Sequence, residues 1–226
     1  MIYDNVYTGK FLARPNRFIA HIEVDGKTEI CHVKNTGRCK ELLTPNATVY
    51  VQHFDTKARK TNWDLIAVQK GERLINMDSQ APNKAVGEWL LAGGLGQMPT
   101  LLKPECTHGD SRFDFYIETS AQRAFMEVKG VTLEENGVVR FPDAPTQRGT
   151  KHINGLIQCV KQGFNAYILF VVQMENVTCF TPNHITDPAF ANALKQAKNA
   201  GVTLLCYDCT VTNNSMVLKK AVPIRL

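Results

Sequence analysis

Apolar and polar residues alternate with period two through most of the first 75 positions. Residues 18–24 and 28–33 alternate on either side of Asp25-Gly26-Lys27, a hairpin signal. Residues 6–13, 48–54 and 63–69 alternate in the same way, and residues 38–43 have room for a short helix that stops at Pro45. Five short strands and one short helix predict a small closed barrel of the OB type. The pattern changes near Ser79-Gln80-Ala81-Pro82. Beyond it the spacing predicts a helix over 83–92, ended by Gly93-Gly94, and then two strands at 111–117 and 125–129. A turn-rich loop over 140–145 precedes a helix over 146–161. The continuous apolar run 166–173 reads as a strand buried on both faces. Asp187 caps a further helix over 188–199, and a last strand covers 202–207. This alternation of strands and helices is the α/β pattern. The chain thus reads as a β-barrel over 1–79 and an α/β domain over 80–226.

Composition narrows the class. Of 226 residues, 44% are hydrophobic and 21% charged, which suits a globular protein. The first residues lack the basic end and apolar run of a signal peptide, and no apolar run approaches membrane-span length, so a cytoplasmic protein with no membrane partner is expected. Net charge is +5, with 12 basic against 9 acidic residues in 1–79 and 14 against 12 in 80–226. This excess permits an anionic partner without demanding one. Seven cysteines, an odd count, read as reduced thiols. Cys206-Tyr207-Asp208-Cys209 has CxxC form, but no second CxxC or His pair accompanies it, and structural cysteines are the favoured reading.

The candidate chemistry lies on two strands, Ser111-Arg112-Phe113-Asp114-Phe115-Tyr116-Ile117 and Phe125-Met126-Glu127-Val128-Lys129. Glu127 and Lys129 are two apart and share one strand face. A hairpin-like connection over 118–122 brings Asp114 near Glu127. Two carboxylates and an ammonium on one sheet face can hold a hard cation and a water, as phosphodiester hydrolysis requires. Mg²⁺ or Mn²⁺ is the expected ion, with the Val128 carbonyl as a third ligand. Lys129 is placed to orient the attacking water or to stabilise charge on the phosphate. Taken alone, the same spacing also fits a surface strand with a solvated Glu/Lys pair. Glu88, one helix earlier, is either an additional metal-site carboxylate or a solvated helix residue.

Nucleic-acid contacts are expected from two clusters. Arg148, Lys151 and His152 share one face in the first turns of a helix, where free N–H groups suit phosphate. His152 is alternatively a satisfied structural histidine. In the barrel, His32-Val33-Lys34-Asn35-Thr36-Gly37-Arg38-Cys39-Lys40 gathers Lys34, Arg38 and Lys40 around an Asn-Thr-Gly turn, with Arg14 and Arg17 flanking a neighbouring strand. Arg112 lies beside Asp114. Scattered aromatics give base stacking little support.

These residues resemble the sugar fermentation stimulation protein A family. The resemblance rests on Asn35-Thr36-Gly37, Ser111-Arg112-Phe113-Asp114-Phe115, Glu127-Val128-Lys129-Gly130-Val131-Thr132-Leu133 and Phe141-Pro142-Asp143-Ala144-Pro145-Thr146-Gln147-Arg148-Gly149-Thr150-Lys151-His152, and covers nearly the whole chain. It implies an N-terminal OB-like domain and a C-terminal domain resembling PD-(D/E)XK nucleases. It also implies DNA binding linked to regulation of sugar-utilisation genes, and a nuclease activity. On that motif Asp114 matches the first acid, Glu127 the second and Lys129 the lysine. Phe113 replaces the proline often found before the first acid, which removes no metal ligand. The expectation is a nucleic-acid-binding protein, of DNA or RNA, with a Mg²⁺-dependent nuclease site. The alternative is a non-catalytic DNA-binding regulator of sugar (maltose) utilisation genes.

Overall fold

The computed structural model describes every residue except Thr36 and Lys57. The barrel is built from β1 (Val6–Asn16), β2 (Ile19–Val24), β3 (Lys27–Val33), β4 (Thr48–His53) and β5 (Trp63–Lys70). β1 pairs antiparallel with β2 and β4, β2 with β3, and β4 with β5. Parallel pairing of Cys31–Val33 with Trp63–Leu65 joins β3 to β5 and closes the ring. Period two then sends Ile22, Val24, Cys31, Val33, Val49 and Val51 into one buried core, and a register shift opposite Tyr50/Val51 lets both Leu65 and Val68 of β5 join it. β1 serves two neighbours because register shifts at Phe11/Ala13 and Ala13/Asn16 bend it. The helix expected over 38–43 is instead a single turn. Leu42 and Leu43 N–H donate to the Cys39 carbonyl at 3.2 and 2.9 Å, and Cys39 at φ 46° cannot start a right-handed helix.

β6 (Arg73–Asn76) hairpins onto β5 and leads into α1 (Ala81–Leu91). There follow β7 (Leu101–His108), β8 (Ser111–Glu118), β9 (Arg123–Val131), β10 (Leu133–Glu135), β11 (Val138–Phe141) and α2 (Gln147–Lys161). The chain ends with β12 (Asn165–Val172), β13 (Cys179–Pro182), α3 (Pro188–Asn199), β14 (Thr203–Val211) and β15 (Met216–Ala221). The main sheet has the order β15-β14-β12-β9-β8-β7, parallel at its centre, with α2 and α3 as crossovers. Thr146 and Asp187 start those helices by accepting from the N–H of Gly149 and Phe190. Ile153, Leu156, Phe190 and Leu194 pack on one sheet face with Phe113, Ile168 and Phe170. On the other face α1 lays Ala85, Val86 and Leu90 against Phe115, Met126, Val128 and Leu169. The CxxC cysteines part company here: Cys206 joins the first core and Cys209 the second, and burial pushes the Cys209 thiol up to about 12. They form neither a redox pair nor a chelate.

Polar contacts join the two domains. The Lys34 ammonium lies 3.1 Å from Asp64 and 3.0 Å from Asp78, both 1% exposed, while Arg59 also contacts Asp64. Gln173, just past β12, donates from Nε2 to the Asn76 carbonyl, Asn76 Oδ1 and the Asp78 carbonyl, each at 3.1 Å. Lys70 and Arg73 from the β5–β6 hairpin meet Glu134 of β10 at 3.0 and 2.6 Å. The sequence pattern places Lys34 at the surface, gripping phosphate. The structure corrects this: Lys34 is a counter-ion of two buried aspartates, shared with Arg59 at Asp64, and its ammonium offsets their desolvation.

Two outcomes follow from this junction. Lys34→Ala strands Asp78 without a cation and should cost on the order of 3 kcal/mol in urea denaturation; an unchanged midpoint would refute the pairing. For Glu134, burial raises the carboxyl, but the Gly137 N–H, Arg73 and Lys70 outweigh it and hold it at about 2. Its folded value lies below the unfolded one, so its contribution is complete above the unfolded value near ~4.3 and is lost as pH falls toward 2. Glu134→Gln should therefore flatten the acid limb of stability measured between those values.

Candidate functional site

β8 and β9 pair from Glu118↔Arg123 to Phe115↔Met126, and the next residues along each strand are Asp114 and Glu127. The strands part there. Phe113 enters the α2/α3 core and Phe115 the α1 core, so the chain turns over at Asp114. Across the hairpin the β7–β8 ladder is interrupted at Glu105 opposite Asp114 without a shift of register, and Glu105 sits at φ 52°. The Asp114 carboxylate fills the opened ladder: Oδ2 accepts from Val128 N–H at 2.7 Å, and Oδ1 from Asn83 Nδ2 of α1 at 2.7 Å.

Glu127 is 3% exposed. Its Oε1 accepts from Lys129 Nζ at 2.5 Å and from His152 Nδ1. Arg148 Nε approaches His152 Nε2 at 3.5 Å, which assigns Nε2 as acceptor and Nδ1–H as donor. Glu127 Oε2 is buried with no partner among the described residues. Burial raises the Glu127 carboxyl, but the His152 bond and the Lys129 charge and bond outweigh it and hold it below the ordinary carboxylate value. Asp114 moves the other way: burial first, then the neighbouring Glu127 charge, raise it against the Val128 and Asn83 bonds. Two acids with separated proton affinities, one orphaned carboxylate oxygen and one ammonium are thus neighbours at the end of the β8–β9 ladder.

Of the other expected residues, Glu88 takes no part in this group. Its carboxylate accepts from the Met1 ammonium at 2.6 Å and is 61% exposed. It lies five residues beyond Asn83, about 140° around the helix from the residue that meets Asp114. His152, expected on nucleic acid, is buried and holds Glu127, which corrects that reading. Arg112 is exposed and paired with Glu105 at 2.5 Å. Lys151 is exposed and lines a separate cleft with Ser111 and Asn154. Arg17, Arg38 and Lys40 line a concavity of about 430 Å³ that reaches Ala144 of the second domain, and among the described residues none of the three side chains is in an ion pair. Arg14 braces its wall by donating to the carbonyls of Arg17, Asn35, Gly37 and Arg38 at 2.7–2.9 Å. Thr36 of the Asn-Thr-Gly turn lies outside the described residues. Asn83 escaped the sequence reading, since nothing links a helix-start amide to an acid 31 positions on. Among the described residues no three His, Cys, Asp or Glu side chains form a metal-binding group.

The class is therefore a closed OB barrel joined to an α/β domain that carries a buried Asp-Glu-Lys group. The profile described as "SfsA N-terminal OB domain" matches residues 12–77, and "Sugar fermentation stimulation protein RE domain" matches 80–215. The sugar fermentation stimulation protein homologs of Clostridium beijerinckii and Ruminiclostridium cellulolyticum are 55% and 54% identical to the chain, each over 100% of both chains. The solved structure of Pyrococcus furiosus SfsA in complex with Ca²⁺ matches with a TM-score of 0.90 at 27% identity, over 100% of this chain and 98% of that one. The chain belongs to the sugar fermentation stimulation protein family. Among the described residues no helix is long and apolar enough to cross a membrane.

The opposed shifts of the two acids are testable by carboxyl ¹³C NMR. Glu127→Gln removes the repelling charge and should lower the Asp114 pKa, whereas Asn83→Ala removes a bond to the ionised form and should raise it. Both variants moving Asp114 in one direction would contradict the geometry.

Proposed function

We propose that this protein is a metal-dependent nuclease of the PD-(D/E)XK kind that acts on DNA or RNA. The observation that carries the reading is the buried Oε2 of Glu127, without a partner among the described residues, beside Asp114. An orphaned carboxylate oxygen in an apolar setting is costly unless a ligand completes it. The donor set is two carboxylates, with the Val128 carbonyl between Glu127 and Lys129, and hard oxygen donors fit Mg²⁺ or Mn²⁺. The Ca²⁺ complex of the Pyrococcus furiosus relative supports a divalent ion here. When bound, such an ion supplies Lewis acidity toward a phosphate oxygen and acidifies a water.

The protein's own residues do the rest. His152 and Lys129 both draw on Oε1 and so fix the plane of the Glu127 carboxylate. Asn83 and the Val128 N–H fix Asp114. The Lys129 ammonium is positioned to offset charge that develops on the phosphate. In this reading residues 80–226 cut and residues 1–79 grip, with Arg17, Arg38 and Lys40 meeting the phosphate backbone. All seven cysteines are free, which supports a reducing, cytoplasmic setting.

The test uses labelled single- and double-stranded DNA and RNA with Mg²⁺, Mn²⁺ or chelator. Lys129→Ala should abolish cleavage while leaving binding near wild type. The triple Arg17→Ala, Arg38→Ala, Lys40→Ala should weaken binding and lower the salt slope by about one for each phosphate that is no longer neutralised. Should Lys129→Ala cut as the wild type does, the activity belongs elsewhere and a non-catalytic regulator becomes the better reading.

A further inference from the structure

A second cavity lies on the seam between the domains, one residue along β9 from Lys129. Its volume is about 180 Å³, and its walls include Gly37 of the barrel and Gly130, Arg140, Phe141, Asp143 and Gln173 of the α/β domain; Arg140 is paired with Glu135 at 3.3 Å. Gly130 and Gln173 stand at the carboxyl ends of the parallel strands β9 and β12. Open α/β sheets place ligands outside such strand ends. The size falls below the roughly 300 Å³ typical of drug-sized ligand pockets, so one planar ring system fills it.

The wall has a definite polarity. Gln173 is 2% exposed, and its Nε2 faces three oxygens, which fixes the amide orientation and leaves Oε1 as an acceptor. Among the described residues no donor reaches that Oε1. A Cβ on Gly130 would sit 2.5 Å from it, and a Cβ on Gly37 would collide with Asp143 Oδ2. Both glycines therefore make room for an oxygen at the wall. Asp143 is in no ion pair or hydrogen bond among the described residues, and its carboxylate only accepts. The half-buried Phe141 ring, held by Phe190 at 5.2 Å, adds an aromatic side.

We propose that this cavity receives one unpaired nucleobase of the substrate strand and favours guanine over thymine; this rests on the nuclease reading for the nature of the ligand. The two acceptors, Gln173 Oε1 and the Asp143 carboxylate, suit a base edge with adjacent N–H donors; guanine presents an imino and an amino N–H side by side, and its carbonyl oxygen suits the Arg140 guanidinium on the same wall. Thymine offers a single imino N–H between two carbonyl oxygens, so it cannot donate to both acceptors. A base still paired in a duplex cannot offer that edge, so the bound strand is single or locally opened.

Fluorescence anisotropy in chelator tests this without cleavage. The probes are a dT 12-mer, the same strand with one central dG, and the latter annealed to its complement. The wild type should bind the dG strand about tenfold tighter than all-dT, and annealing should remove that advantage. Asp143→Asn is an exposed, near-isosteric change, expected to keep the fold and the affinity for all-dT while losing the preference. No dG preference in the wild type, or a preference that survives Asp143→Asn, overturns the proposal. If the wild type cuts with Mg²⁺ but shows no preference, the cavity assignment fails and the nuclease stands. A preference without cleavage in any metal leaves the cavity assigned and removes the nuclease.

Discussion

The burial of one carboxylate governs how this site is assembled. Glu127 sits in the middle strand of a six-stranded sheet, with apolar layers on both sides. An isolated ionised carboxylate in such a place would protonate or unfold its surroundings. His152 reaches it from α2 and Lys129 from its own strand, and together they keep it charged. Both bonds go to the same oxygen. The second oxygen is left in a dry wall next to another acid, and this half-completed solvation is what a catalytic site for a cation requires.

The same logic acts at the seam, with the opposite result. Asp64 and Asp78 are as buried as Glu127, yet Lys34 and Arg59 neutralise them. Asp78 accepts further from Tyr3 and its carbonyl from Gln173. This network is saturated, so it fastens the barrel to the α/β domain and has no coordination left for a ligand. Satisfaction of the buried oxygens, more than their number, separates the fastening from the candidate active site.

Much of this was legible in the sequence, for reasons that also mark the limits. The barrel strands and the three helices show in hydrophobic period, because each buries one face and leaves the other wet. β7 did not show: it is an edge strand with Pro104 and a positive φ at Glu105, and most of its side chains face solvent. β10, β11 and β13 are three or four residues long, too short for any period. Asp114, Glu127 and Lys129 were readable since their spacing is local to one hairpin. The true settings of Lys34 and His152 were not, since the groups that bury them lie 44 and 25 positions away. A lysine in a polar loop and a histidine near a helix start look solvated until the fold brings an aspartate or a glutamate against them.

Under the proposed function, the arrangement of the seam also bears on how the basic concavity and the Asp-Glu-Lys group are joined. Arg14 locks the carbonyls of Asn35, Gly37 and Arg38, so the loop that carries Arg38 is braced in the structure. That loop meets the second domain at the Gly37–Asp143 contact, and Asp143 opens the segment that leads into α2. α2 in turn carries His152, which holds Glu127. A strand bound along Arg17, Arg38 and Lys40 therefore rests on a surface whose far end is the support of the candidate active site. Neither domain alone provides this continuity: the barrel lacks the acids, and the α/β domain lacks the braced basic loop. Precise placement of a phosphate against two carboxylates depends on rigid supports on both sides, and here each support belongs to a different domain.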